Sequence, residues 1–261
     1  MPAPSSDSRT FPERFSRCVD LYGADGFQRI RTSRVAVIGL GGVGSHAALA
    51  LARSGIGELL LVDFDPVTTS SLNRSPVAGP DDVGKPKVTV LADALTSTCP
   101  DTAIVTSTAF FHDDSADELL DPPPALVVDA IDSLNPKVAL LLQCKQRRIE
   151  VISSMGAAGR TDSSALRCGD IATTRVCPLA KLVRQRLKRR GVDSGITCVY
   201  SVEKPVPPLP PDLDDLSLDR GRVRNRLPSQ ISLPGSFGYA LAALALSRLT
   251  GADQVDQETV G

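Results

Sequence analysis

Val35-Ala36-Val37-Ile38-Gly39-Leu40-Gly41-Gly42-Val43-Gly44-Ser45 (VAVIGLGGVGS) decides the fold. β-forming residues run into a stretch holding four glycines in six positions, and an alanine-rich helical segment follows. A strand, a glycine turn and a helix start, in that order, make a cradle for phosphate. Gly39 permits the tight turn, Gly41 lets the backbone approach a pyrophosphate, and Gly44 lets the helix pack close to the strand. With Gly42 between them, free N–H groups are left aimed at an anion. Leu59–Val62 reads as a second buried strand, and Asp63 ends it where an acid binds a ribose hydroxyl. A nucleotide site is expected on a Rossmann-like α/β sheet. NAD, FAD and some ATP enzymes share this fingerprint.

Strands and helices alternate outward from that point. Strands are predicted at 35–38, 59–62, 103–106, 126–129 and 151–153, with helices at 45–53, 85–98 and 136–147. That alternation predicts a mostly parallel sheet with helices on both faces. Residues 1–32 read as an N-terminal arm, helical from about Glu13 to Arg31, residues 33–152 as the nucleotide-binding core, and residues 153–261 as the substrate side of a single domain. This C-terminal extension holds a basic helix at 180–190, a strand at 199–202 and a small-residue helix at 236–249. A Pro-rich acidic crossover, KPVPPLPPDLDD (Lys204–Asp215), is expected to be exposed and mobile.

The chain has 261 residues, 42% of them hydrophobic, which is enough for a sizeable core. A net charge of −1 means that any attraction to nucleic acid must come from a local patch. No apolar run approaches the ~20 residues that cross a bilayer, and the N-terminus lacks a signal-peptide core. A soluble cytoplasmic protein without membrane partners is expected. Six cysteines form no CxxC pair, which speaks against a zinc knuckle or a disulfide framework.

Residues downstream of Asp63 separate the nucleotide readings. Leu72-Asn73-Arg74 follows the second strand, Val83-Gly84-Lys85-Pro86-Lys87 opens the next helix, and Asp129-Ala130-Ile131-Asp132-Ser133 leaves a later strand at the same carboxyl edge. A dehydrogenase has no use for two cations and a further acid converging on phosphates; an adenylating enzyme does. Attack of a carboxylate on the α-phosphorus places charge on that phosphate and on departing pyrophosphate, which Arg74 and Lys87 are suited to stabilise. Asp132 is suited to hold the Mg²⁺ that bridges the phosphates.

These motifs, in this order, resemble the ubiquitin-activating-type adenylating enzymes that include ThiF, MoeB and HesA, over roughly residues 14–152. Beyond Ile152, DAIDSLNPK (Asp129–Lys137), SSMGAAGRTD (Ser153–Asp162), the stretch Gly169–Val192 and TCVYSVEKP (Thr197–Pro205) narrow the likeness to one branch, the tRNA threonylcarbamoyladenosine dehydratases. That resemblance implies ATP-dependent activation of the carboxylate of threonylcarbamoyl-adenosine in tRNA and closure to a cyclic hydantoin with loss of AMP. It puts ATP phosphates on Gly39, Gly41, Gly42 and Gly44, ribose on Asp63, and triphosphate on Arg74 and Lys87. Asn73 joins the nucleotide-binding set, and Asp132 takes magnesium or adenylate positioning. A homodimer and sulfur-transfer partner proteins are implied by relatives.

The chain departs from the family pattern at Ser75, where Gln is usual, at Cys177, where an acid commonly precedes Pro-Leu, and at Val202, where Thr is usual. Arg14-Phe15-Ser16-Arg17 fits the spacing of an arginine finger of the MoeB branch, with a solvated helix face as the alternative. His46 and His112 read as structural or solvated. Cys198 is a candidate thiol through the resemblance alone, and a buried strand cysteine is the plainer reading.

The basic helix carries six cations and no acid over 181–190. Lys181, Arg184, Lys188 and Arg189 are the candidates to track a tRNA backbone, and Arg220, Arg222, Arg224 and Arg226 extend the patch. Three other readings stand against this one. Adenylation of a sulfur-carrier protein's C-terminal glycine commonly goes with zinc-binding CxxC motifs. A nucleotide-binding scaffold needs no Arg74, Lys87 and Asp132, and an NAD oxidoreductase needs an acid/base pair.

Overall fold

The computed structural model describes residues 10–210 and 226–251. Its elements, in chain order, are α1 (Ser16–Thr32), β1 (Arg34–Ile38), α2 (Gly44–Arg53), β2 (Glu58–Val62), α3 (Lys87–Thr98), β3 (Ala103–Ser107), α4 (Ala116–Leu120), β4 (Leu126–Asp129), α5 (Leu134–Arg147), β5 (Glu150–Ser154), β6 (Leu166–Asp170), α6 (Pro178–Lys188), β7 (Thr197–Ser201) and α7 (Ser232–Thr250). The strands form one sheet in the order β3-β2-β1-β4-β5-β7-β6. Every neighbouring pair is parallel except β6 with β7.

Period-two alternation along β1 divides the core between the two faces. Val35 and Val37 pack with Phe27, Leu51, Leu95 and Phe237 of α1, α2, α3 and α7. Ala36 and Ile38 pack with Leu120, Leu141 and Leu187 of α4, α5 and α6. Both faces of the central strands are therefore dry, and apolar runs such as ELLLV (Glu58–Val62) follow from that. Strand order reverses between β1 and β4, which opens a crevice at the carboxyl ends of those strands. Gly39, Asp63 and Asp132 all follow strands that end at this edge.

Several boundaries move for identifiable reasons. Helix α3 begins at Lys87 and not at Lys85, because the residue before a proline is driven out of helical space and Pro86 becomes the cap. Pro178 takes the first turn of α6, where its missing N–H costs nothing, so that helix starts and stops two residues early. The described part of the N-terminal arm packs on the core, with Phe15, Phe27 and Ile30 buried. Strand β6 has no alternating pattern, and its five residues are all exposed or half-buried, so nothing in its sequence announced it.

The described part of the crossover, 204–210, is mostly exposed yet pinned. Val206 N–H donates to Gly159 O (2.8 Å), and Leu209 exchanges both backbone hydrogen bonds with Arg226. Residues 211–215 of the crossover, and Arg220, Arg222 and Arg224, lie outside the described residues. Among those described, no helix is long and apolar enough to cross a membrane.

Candidate active site

The glycine turn is fixed by close approach. Gly39 sits at φ 91°, and its N–H donates to Val62 O (2.8 Å), tying the turn to β2. A Cβ on Gly44 would lie 1.8 Å from Gly39 O, so no other residue lets α2 start this near β1. Above Gly41 there is open space, with nothing within 4 Å of where a Cβ would stand. That is the room a phosphate needs to meet bare backbone. Ser45 Oγ donates to Gly41 O (2.7 Å) and His46 Nδ1 to Gly42 O (2.8 Å). His46 is buried, which pushes its pKa down, so it serves the turn as a neutral donor.

Asp63 is buried at the end of β2, where Oδ2 accepts from Leu40 N–H (2.6 Å) and Oδ1 from Asp65 N–H (2.8 Å). Burial pushes its carboxyl up and the nearby Lys87 charge pulls it back. Lys87 Nζ lies 3.0 Å from Asp65 Oδ2 and 3.8 Å from Asp63 Oδ1. Arg74 ends a short 3₁₀ turn, Thr69–Arg74, and donates through Nη1 to Ser70 O and to Asn73 Oδ1 (3.2 Å). Asn73 is anchored in turn by Nδ2 donating to Ser229 O (3.1 Å). Burial lowers the pKa of the Arg74 guanidinium while the charge of Asp132 opposes the shift.

Gly41, Gly42, Ser45, Ser71, Arg74 and Lys87 line one narrow cleft. Four residues predicted from sequence thus meet there, with Asp132 within electrostatic reach of Arg74. Asp132 is exposed and accepts from Ser133 Oγ (3.1 Å). Two cations over a bare glycine backbone suit a polyanion. Among the described residues, no group of three or more His, Cys, Asp or Glu stands together as a metal cage. A single exposed carboxylate beside a phosphate cleft fits Mg²⁺, which takes one or two carboxylates and completes its shell with phosphate oxygens and water.

Sequence reading missed what holds this edge in place. Asp129 and Lys137 are wholly buried and paired (Nζ–Oδ2 2.6 Å), Ser153 Oγ donates to the same oxygen (2.6 Å), and Asp129 Oδ1 accepts from Ile131 N–H (3.0 Å). The network fixes the loop that presents Asp132. Its one signal in the sequence is a lysine interrupting the apolar face of α5. Arg160, in the loop leaving β5, is also buried: Nε donates to Glu203 O (2.9 Å), Nη1 to Ala158 O (3.2 Å), and Nη2 meets no acceptor among the described residues.

Other predicted residues lie elsewhere. Arg14 is paired with Asp101, just before β3 and so at the opposite edge of the sheet from the glycine turn of its own chain. Arg184 is turned inward, with Nη1 donating to Thr174 O (2.8 Å) and Thr174 Oγ1 (2.6 Å), so it braces α6, whereas Lys181, Lys188 and Arg189 are exposed. Cys198 is fully buried, and desolvation pushes its thiol pKa up, which corrects any reactive role. His112 accepts from Asp114 N–H (3.1 Å) as a turn cap.

A model described as the ThiF family matches residues 15–259. A tRNA threonylcarbamoyladenosine dehydratase of Bacillus subtilis is 38% identical over 193 residues, 74% of this chain and 76% of that protein. One from Escherichia coli is 36% identical over 208 residues, 77% and 78% of the two chains. The solved structure of E. coli tRNA N6-threonylcarbamoyladenosine dehydratase in complex with ATP superposes with a TM-score of 0.80 at 31% identity, covering 92% of this chain and 96% of that one.

Proposed function

The chain belongs to the ThiF family, and from that premise we propose that it is an ATP-dependent adenylating enzyme that dehydrates threonylcarbamoyl-adenosine in tRNA to its cyclic form. The observation that carries the reading is the meeting of Arg74 and Lys87 over the open backbone at Gly41.

The threonyl carboxylate is anionic at neutral pH and attacks the α-phosphorus without a general base. The bond from that phosphorus to the bridging oxygen breaks and pyrophosphate leaves. Arg74 and Lys87 meet the charge that gathers on the leaving group, and the backbone N–H groups of the glycine turn hold the phosphates in line. Asp63 takes the ribose and Asn73 orients Arg74. A magnesium ion would be held by Asp132 and phosphate oxygens, and when bound it neutralises phosphate charge. In the second half-reaction a carbamoyl nitrogen of the same side chain attacks the acyl carbon, releases its proton and expels AMP. The net change in the nucleoside is the loss of one water.

Residues 33–152 serve the nucleotide and 153–261 the tRNA, within a single domain. Lys181, Lys188 and Arg189 track the RNA backbone. The working form is a homodimer in the cytoplasm. Exchange of labelled pyrophosphate into ATP tests the reading: it should require tRNA bearing threonylcarbamoyl-adenosine. Exchange driven instead by a carrier protein with a C-terminal glycine would overturn it, as would tighter binding of NAD than of ATP.

A further inference from the structure

A recess of about 920 Å³ opens beside the active site, between the loop after β3 and helices α5 and α6. It lies toward the upper end of the ~300–1,000 Å³ span of small-molecule sites, and it shares no lining residue with the phosphate cleft. Phe110, Phe111, Ser133, Leu134, Arg186 and Arg190 are among its walls. Ser133 is the residue whose hydroxyl donates to Asp132, so the recess begins where the proposed chemistry ends.

Its chemistry is mixed in a particular way. Phe110 is 40% exposed, held edge-on by Phe64 with ring centroids 4.9 Å apart, so a large apolar ring stays accessible at this edge. Arg186, on α6, and Arg190, in the turn just past its end, are both exposed, and neither side chain has a hydrogen bond or ion pair among the described residues. The acid in the wall, Asp113, is engaged by Gln143 Nε2 (3.2 Å). Unstacked bases of single-stranded RNA are bound in this manner, with a base against an aromatic ring and phosphates on arginines.

We propose that this recess takes an unpaired nucleotide flanking the modified adenosine, its base against Phe110 and its phosphates on Arg186 and Arg190. The proposal rests on the dehydratase reading and adds to it RNA contacts at Arg186 and Arg190. Lys181 and Arg184 are not part of it. The triphosphate of ATP is met by Arg74 and Lys87 in a separate cleft, and ATP affinity is read in the same variants so that the two nucleotides are told apart. The recess reaches from Arg186 and Arg190 at the basic segment to Ser133, the neighbour of Asp132.

The test uses the whole protein, tRNA carrying threonylcarbamoyl-adenosine, and two variants, R186E/R190E and F110A. Filter binding across a salt series should show tRNA affinity falling about tenfold or more in the charge-reversed protein, with a salt slope shallower by ~0.7 for each phosphate that the protein no longer neutralises. In F110A the KM for tRNA should rise about tenfold, as expected when a base loses its aromatic platform. The Kd for ATP should stay within about twofold of the unaltered protein in both, the two variants leaving the triphosphate contacts intact. Unchanged tRNA affinity and salt slope would overturn the proposal, and so would a parallel loss of ATP affinity, which would make the recess part of the ATP site. The yield of cyclised nucleoside by the unaltered protein, read in the same samples, reports on the dehydratase reading separately.

Discussion

Lys137 and Asp129 form an ion pair with no solvent exposure on either side, Nζ to Oδ2 2.6 Å, at the base of the loop that carries Asp132. A charge so placed is tolerable only while its partner is present. Lys137→Met should therefore cost about 3–5 kcal/mol, because it leaves an uncompensated carboxylate in the core. Urea denaturation measures this, and a loss under about 1 kcal/mol would show that the network is not as drawn.

Gly44→Ala should remove ATP binding along with part of the stability. The added methyl would stand 1.8 Å from Gly39 O, so either α2 or the glycine turn must move. Calorimetry with ATP and a thermal melt check this together. A variant that binds ATP normally would contradict the geometry of the turn.

Arg74→Ala and Lys87→Ala should lower kcat more than they weaken ATP binding, by about 100-fold each, since one preorganised charge contact is worth ~3 kcal/mol in comparable sites. Asp132→Ala should behave likewise and should shift the magnesium dependence of turnover. Single-turnover kinetics separates the effects. A rise in the Kd for ATP with kcat unchanged would make these residues binders of the ground state.

Cysteine labelling discriminates burial from reactivity. Cys144 is fully buried with its thiol pushed up to about 12, and Cys198 is fully buried with its pKa raised as well, both mainly through desolvation. The thiolate is the reactive form, so raising pH from 7 to 9 should leave both unlabelled by iodoacetamide in the native protein. Cys168 is exposed and should label, faster as pH rises, although its partial burial raises its pKa too. Peptide mass spectrometry reads the three sites. Modification of Cys198 before Cys168 would contradict the structure.

The glycine turn was legible because sterics demand those residues at those positions, and the parallel core because both faces of its strands are buried and apolar. Arg74, Lys87 and Asp132 were legible only through their order along the chain, since each alone looks like a surface charge. Lys137 and Arg160 were not legible, for a buried charge differs from an exposed one only by partners remote in sequence. The inward turn of Arg184 was not legible for the same reason: composition marks a basic helix, whereas the bond to Thr174 depends on how the preceding loop packs. The recess is assembled from three distant segments, and no local pattern records it.

The central claim is dehydration of a tRNA nucleoside at the cost of ATP, and mass spectrometry of nucleosides from treated tRNA tests it most directly. With the protein, ATP and Mg²⁺, threonylcarbamoyl-adenosine should be replaced by a species lighter by one water, with one AMP released per conversion. Without ATP, or with Arg74→Ala, the nucleoside should persist. Consumption of ATP with the nucleoside left intact would contradict the account.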